Sequence, residues 1–365
     1  MVNLLDQPES PSENAKTIWK TLMRILPIIA FVPPFLMLYS LYPASFEETW
    51  KGRTFYLFFL WLVTLEVIMN WDKVQKFKIS KVRSVRTAVF ISALLLPTIY
   101  IISANYLGIN NAIKNWATAY NVRSDLLDYV PLSTEYLVFT VLFALIIYLG
   151  FGIRRLKDSA LSTLFLAAIG MIYTIDNFYP NGTFTPFQIP VPITTQLAAG
   201  VFNLLGYRTG ITQSNDPTNG WISSLYVYNP RNPVNQPHNP IQLGIAWPCA
   251  GVESLIIYII TILIFLKGST FSLKRRTVYF TVGAIVTYFI NVLRIVTIFI
   301  IAMSYGTEST QFTEFHNYYG QLYSITWIMF YPLMIIGSQF LWDKAKARTN
   351  GKALRDTRVL PAVAT

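Results

Sequence analysis

The sequence predicts an all-α, polytopic membrane helix bundle of about eight transmembrane helices, with a proline-rich extracytoplasmic loop that carries a short amphipathic helix and a β-hairpin. Three observations lead there. Hydrophobic residues make up 53% of the 365 and charged residues only 13%, with a mean hydropathy of +0.42, which is more apolar surface than one soluble core can bury. Eight apolar runs approach the roughly 20 helical residues needed to cross a hydrocarbon layer of about 30 Å. Lys and Arg also alternate between rich and poor connections, as they do when cytoplasmic loops retain positive charge.

In order, the runs are 23–42, 55–71, 88–107, 135–153, 160–178, 243–266, 277–304 and 322–342. The first follows Lys16, Lys20 and Arg24 as a secretory signal would, but it lacks an Ala-x-Ala-like exit and reads as a retained signal anchor. Its Pro27, Pro33 and Pro34 break helical hydrogen bonds that neighbouring helices can replace inside a bundle. The second run is the shortest. Its Glu66, near the cytoplasmic end, is assigned to helix packing or snorkelling. The organisation expected is five N-terminal spans in 1–178, an extracytoplasmic loop or lid in 179–242, three further spans in 243–342 and a basic cytoplasmic tail in 343–365.

The basic residues set the orientation. Three precede the first run, six lie in 72–87, three in 154–158, four in 267–276 and six in the tail. The alternate connections hold only Lys51, Arg53, Lys114, Arg123, Arg208 and Arg231. Both termini are therefore expected in the cytoplasm and the 179–242 loop outside. The net charge of +11 is then a topology signal, suited to anionic lipid headgroups. Nucleic acid is not an expected partner, because no basic stripe carries interleaved exposed aromatics; the 22 Tyr and 9 Trp suit interfacial belts. No internal repeat is visible, which weighs against an inverted-repeat transporter.

The long loop holds nine of the 20 prolines, with Asn-Pro steps at 229, 232 and 239, so regular helix is not expected through most of it. Within it, 194–205 has helical spacing and Gly206 suits its end. Residues 224–228 and 241–245 flank the Asn-Pro turn as a hairpin that delivers the chain to Trp247-Pro248. Such a segment serves either as a lid or substrate shelf or as a plain surface loop.

Cys249 is the only cysteine. Pro248 is tolerated at a helix start, which places Cys249 in or near a first helical turn, where free N–H groups and the helix dipole favour a thiolate and an oxyanion. On its own, a buried membrane cysteine is more often structural than catalytic. Arg294 lies well inside the seventh run, where an unpaired charge costs about 2.5–3.5 kcal/mol even on a lenient scale. Counted from their outer helix ends, Cys249 and Arg294 lie at similar depth, roughly 10–15 Å in. Glu253, one turn from Cys249, is the candidate partner for a structural ion pair with Arg294. His316 lies on the outer connection entering the eighth run and is expected to fold back over Cys249 as a proton acceptor. The other histidine, His238, has no apolar frame to hold it. Metal binding is not expected: Cys249, His316, Glu253 and Glu314 are ligand types, but neither His-x-x-x-His nor Cys-x-x-Cys spacing occurs.

Three motifs together resemble the exosortase/archaeosortase family of membrane transpeptidases: Pro-Cys-Ala-Gly-Val-Glu-Ser-Leu at 248–255, Asn-Val-Leu-Arg-Ile at 291–295 and His-Asn-Tyr-Tyr-Gly at 316–320. The resemblance covers roughly 190–340. It implies that Cys249 is the nucleophile, that Arg294 stabilises the oxyanion and that His316 completes the site, with no cofactor. It also implies substrates that are exported proteins ending in a short sorting motif, a hydrophobic helix and a basic cluster. The new carboxyl end would pass to an acceptor, a lipid. Two other readings stand beside it. A transporter would use Arg294 and Glu253 as a substrate counter-ion pair, and a non-catalytic subunit for envelope polysaccharide export would need neither Cys249 nor His316.

Overall fold

The computed structural model describes residues 25–48, 50–69, 85–179, 183–216, 220–228, 240–269 and 271–356. The N-terminal basic residues, most of the 72–87 connection, His238 with its Asn-Pro turn, and Arg358 of the tail lie outside the described residues. The chain is mostly helical. Its helices are α1 (Val32–Leu41), α2 (Phe55–Met69), α3 (Val85–Tyr106), α4 (Ile109–Ala119), α5 (Val130–Phe151), α6 (Ala160–Phe178) and α7 (Pro190–Leu204). Three strands follow, β1 (Arg208–Asp216), β2 (Gly220–Tyr228) and β3 (Ile241–Ile245), and then α8 (Val252–Gly268), α9 (Leu273–Tyr305), α10 (Thr310–Glu314) and α11 (Gly320–Asp356). A π-helical turn, Phe315–Tyr319, joins α10 to α11.

Five described helices are long and apolar enough to cross a membrane: Ala88–Tyr106, Ser124–Phe151, Ala160–Phe178, Leu273–Tyr305 and Thr310–Trp342. They are the third, fourth, fifth, seventh and eighth expected runs. The first, second and sixth runs form shorter apolar helices, Ile25–Leu41, Phe55–Ile68 and Val252–Leu263. The sixth is shortened for a clear reason. Its outer end, 243–250, is spent on β3 and a tight turn, so the helix begins at Val252 rather than Leu243.

Local chemistry sets the helix ends. Pro131 occupies the first turn of α5, where a missing N–H costs nothing, and Gly152 ends it at φ +81°. Gly306 ends α9 at φ +86°, and the Ser309 hydroxyl caps α10 by accepting from Phe312 N–H at 3.2 Å. The N-terminal helices pack through aromatic rings: Phe31 meets Phe59 edge-on at 5.3 Å, Phe59 meets Phe143 at 5.0 Å, and Phe35 stacks on Tyr56 at 4.5 Å.

Lys51 and Arg53, two of the basic residues in the sparsely charged connections, do not face solvent. Both are buried, at 5% and 8% exposure. Lys51 Nζ meets Asp176 of α6 at 2.7 Å. Arg53 holds Glu135 of α5 with both arms, at 2.9 and 3.0 Å, and Tyr56 donates to the same carboxylate at 2.8 Å. A carboxylate inside an apolar run needs such a cation, and the connection between α1 and α2 folds inward to supply it. Glu66 plays the packing role expected of it: it accepts from Leu161 N–H at 2.7 Å, Ser162 N–H at 3.3 Å and the Ser162 hydroxyl, and so caps α6 from a neighbouring helix.

The segment after α6 is more ordered than a loop. α7 starts four residues earlier than expected and ends before Gly206, which sits at φ +87°. The β2–β3 hairpin forms in antiparallel register, with Leu225 opposite Leu243. A third strand, β1, pairs with β2 on its other side, giving the order β1-β2-β3. The fold is therefore mostly helical with a small sheet, not all-α. The polar sequence of β1, Arg-Thr-Gly-Ile-Thr-Gln-Ser-Asn-Asp, has little of the apolar alternation that marks a strand. Beneath the sheet, α7 packs on β1 and β2 while α9 packs on β3. Phe202 of α7 meets Phe299 of α9 at 5.6 Å, and Thr194 meets Tyr288 at 2.7 Å, so α7 runs along the C-terminal half of α9.

Candidate active site

Cys249 lies in a tight turn above α8, not in its first helical turn. The N–H groups of Cys249 and Ala250 both donate to Ala246 O, at 2.9 and 3.1 Å. Gly251 then takes φ +82°, and α8 starts at Val252. Glycine is required there twice over: the backbone is left-handed, and a Cβ would lie 2.8 Å from the Asn291 side chain. Because α8 begins just after the turn, its first N–H groups have no intrahelical acceptor and sit beside the thiol's backbone.

Two other helices hold this turn by its carbonyls. Asn291 of α9 donates its amide N–H to Cys249 O at 2.9 Å. Thr194 of α7 donates its hydroxyl to Ala250 O at 3.2 Å and, with that proton used, accepts from Tyr288. Trp247, fully buried, wedges the start of the turn between Phe187 at 4.7 Å and Trp50 at 5.5 Å.

His316 reaches the thiol from the opposite side. It stands in the π-helical turn that opens the last long helix, rather than in a loop folded back from outside. Such turns interrupt the regular ladder and recur at functional sites. Its Nε2 lies 4.0 Å from Cys249 Sγ, and its Nδ1 lies 2.9 Å from Asn317 Oδ1. An amide oxygen only accepts, so Nδ1 carries a proton, and in the neutral ring Nε2 then presents a lone pair to the sulfur. The Phe312 ring stacks on the imidazole at 5.8 Å and 17°.

Arg294 is 3% exposed and lies one turn beyond Asn291 on α9. Its Nη2 donates to His316 O at 3.2 Å. Turned with its oxygen toward the guanidinium, the Gln321 amide accepts from Nη1 and Nη2, each at 3.1 Å. Gly320 makes room for this: a Cβ there would sit 2.9 Å from Arg294 Nε and 2.8 Å from Phe315 O. The ion pair with Glu253 does not form. Glu253 is 3% exposed, and neither carboxylate oxygen has a hydrogen-bond partner among the described residues. Neutral acceptors therefore hold Arg294, and its positive charge is not cancelled by direct contact.

The structure thus brings Cys249, Arg294 and His316 together from three separate elements. Among the described residues no group of three or more His, Cys, Asp or Glu gathers as a metal site. Sequence reasoning did not single out Thr194, Tyr288, Asn317, Gly320 or Gln321. Asn317 and Gly320 at least stand inside a quoted motif; Thr194 and Gln321 carry no local signal, because their partners belong to other helices.

A model of the transmembrane exosortase family matches residues 50–334. No curated protein and no solved structure matches the chain. The family match takes in most of the N-terminal helices, the sheet and every residue of the Cys249 site. This multi-pass membrane protein therefore belongs to the transmembrane exosortase family, whose members are in general cysteine-dependent membrane transpeptidases acting on exported proteins with sorting signals.

Proposed function

We propose that this chain cleaves C-terminal sorting signals from exported proteins through a thioester at Cys249 and passes the new carboxyl end to a lipid acceptor. The observation that carries the reading is the approach of His316 Nε2 to Cys249 Sγ at 4.0 Å, beside a buried arginine held by neutral groups alone. Eight membrane crossings with both termini in the cytoplasm would put this site on the extracytoplasmic side, in the 243–342 helices. The basic residues at the other helix ends support that orientation.

The chemistry follows from the groups present. The thiol gives its proton to His316 Nε2, and the sulfur attacks the scissile carbonyl carbon. Negative charge collects on the carbonyl oxygen, where the Arg294 guanidinium and the first N–H groups of α8 stabilise it. As the tetrahedral adduct collapses, the C–N bond breaks. The departing amine takes the proton from His316, which leaves the acyl group on Cys249. An acceptor hydroxyl or amine then gives its proton to Nε2 and attacks the thioester, and the thiol is regenerated.

The test is direct. Full-length protein in host membranes is acid-quenched during processing and digested, and the peptide containing Cys249 is weighed by mass spectrometry. The expected product carries the acyl fragment of an exported protein, and Cys249→Ala abolishes removal of the C-terminal signals. An unmodified Cys249 together with undiminished processing in the variant would end this reading.

A further inference from the structure

We propose that the open edge of β3 receives the segment of the exported protein just before the scissile bond, as a fourth strand of the sheet. The inference rests on Cys249 being the nucleophile and specifies how the substrate is held.

The strand order β1-β2-β3 pairs β3 with β2 on one side, and among the described residues no strand pairs with its other side. Ile241, Leu243 and Ile245 turn inward, the last fully buried, and Gln242 and Gly244 are exposed between them. Inward contact with α9 is therefore made through the apolar face of the strand. A glycine has no side chain to expose, so the exposure of Gly244 is exposure of main chain. A side chain at this position would meet Ile222 of β2 at 3.1 Å, so Gly244 leaves room for its neighbour on the sheet face.

Unpaired N–H and C=O groups along a sheet edge are a ready template for an extended peptide. Of the two outer strands, β3 is the one whose chain continues directly into the site: Ile245 is followed by Ala246, whose carbonyl anchors the turn holding Cys249. A peptide extended along β3 advances by about 3.3 Å per residue toward the end of the strand from which the chain continues to Cys249.

The chemistry also requires an extended substrate. In a helix each carbonyl is committed to an N–H four residues on and is shielded by the neighbouring turns. The stretch preceding the hydrophobic helix of a sorting signal must therefore be held out straight for a thiolate to reach its carbonyl carbon. Main-chain pairing along β3 does this for any sequence, and alternate side chains remain free to be read.

Two measurements test the proposal on full-length protein reconstituted in lipid vesicles. The probe is the peptide recovered from the Cys249 thioester, synthesised with one N-methylated amide at each successive position before the scissile bond. Strand addition predicts an alternating pattern: at every second position KM rises about tenfold, the loss of one hydrogen bond, and the positions between change little. Uniform or absent sensitivity overturns the proposal. If the unmodified peptide also forms no thioester, the nucleophile reading has failed instead.

The second measurement uses Gln242→Pro and Leu243→Pro. Adjacent N–H groups in a strand point to opposite edges, so one proline breaks pairing with β2 and lowers the melting temperature. The other keeps the pairing with β2 and removes an outward donor; it is expected to lower the melting temperature less than its neighbour does and to cut processing per folded molecule about tenfold. Wild-type processing per folded molecule by that variant overturns the proposal.

Discussion

Asn291→Ala separates the support of the nucleophile from the nucleophile itself. Asn291 donates to Cys249 O at 2.9 Å, and its side chain fills the space that Gly251 leaves open. Truncation leaves a partly buried carbonyl without its donor, a loss of about 1–3 kcal/mol. The turn also loses the contact that fixes its height against α9. A shift of about 1 Å at a reacting atom costs on the order of 100-fold in rate, so turnover per folded molecule is expected to fall in addition to the loss of stability.

In lipid vesicles, kcat for cleavage should fall ten- to hundredfold with KM nearly unchanged, a fall of about 1.4–2.7 kcal/mol in transition-state stabilisation. The melting temperature should drop as well, by about 2–4 °C for each kcal/mol lost. Thr194→Val removes the companion bond to Ala250 O at 3.2 Å. Because both bonds hold one turn, the double variant should depart from additivity by about 0.5–3 kcal/mol. Turnover by Asn291→Ala within twofold of wild type, or strict additivity with Thr194→Val, would refute the reasoning that these side chains position Cys249.

Three further outcomes follow from the packing. Glu135→Ala strands the Arg53 guanidinium in a buried position, with only Ser45 at 3.2 Å and the Tyr42 ring at 4.4 Å to hold it; a loss of about 3–5 kcal/mol is expected, read as a lower melting temperature. Gly320→Ala drives a methyl group to within 2.9 Å of Arg294 Nε, which should cost about 1–3 kcal/mol and depress kcat through the displaced guanidinium; full activity would contradict the role of Gly320 as a spacer. Glu66→Ala uncaps α6 and should cost about 0.5–2 kcal/mol, read as a lower melting temperature.

Some features could be read from composition and spacing because their cause is local. An apolar run of 19 residues at 160–178 has one low-energy form in a bilayer, and α6 occupies that same interval. Gly206 and the Asn-Pro steps marked the end of α7 and the break between β2 and β3 in the same way. The run at 243–266 was less legible, since a short apolar stretch suits strand and helix alike. Pairing of Leu243 with Leu225 settled its outer end as strand, and the helix starts only at Val252. The burial of Lys51 and Arg53 was not legible, because their carboxylate partners lie 82 or more residues away in the chain. Nothing within the connection itself reports burial.

By itself, the sequence determined that the chain lives in a membrane, that its helices alternate in charge at their ends, and that a lone thiol, a buried arginine and a histidine stand in three family motifs. Those are consequences of residue type and period. Tertiary structure alone decided that Nε2 of His316 faces the sulfur, that Arg294 rests on Gln321 and a carbonyl instead of Glu253, and that α7 and α9 grip the Cys249 turn. The physical reason is common to all three. Hydrogen bonds between distant elements depend on where helices cross, and crossing is set by packing over the whole bundle rather than by any one segment.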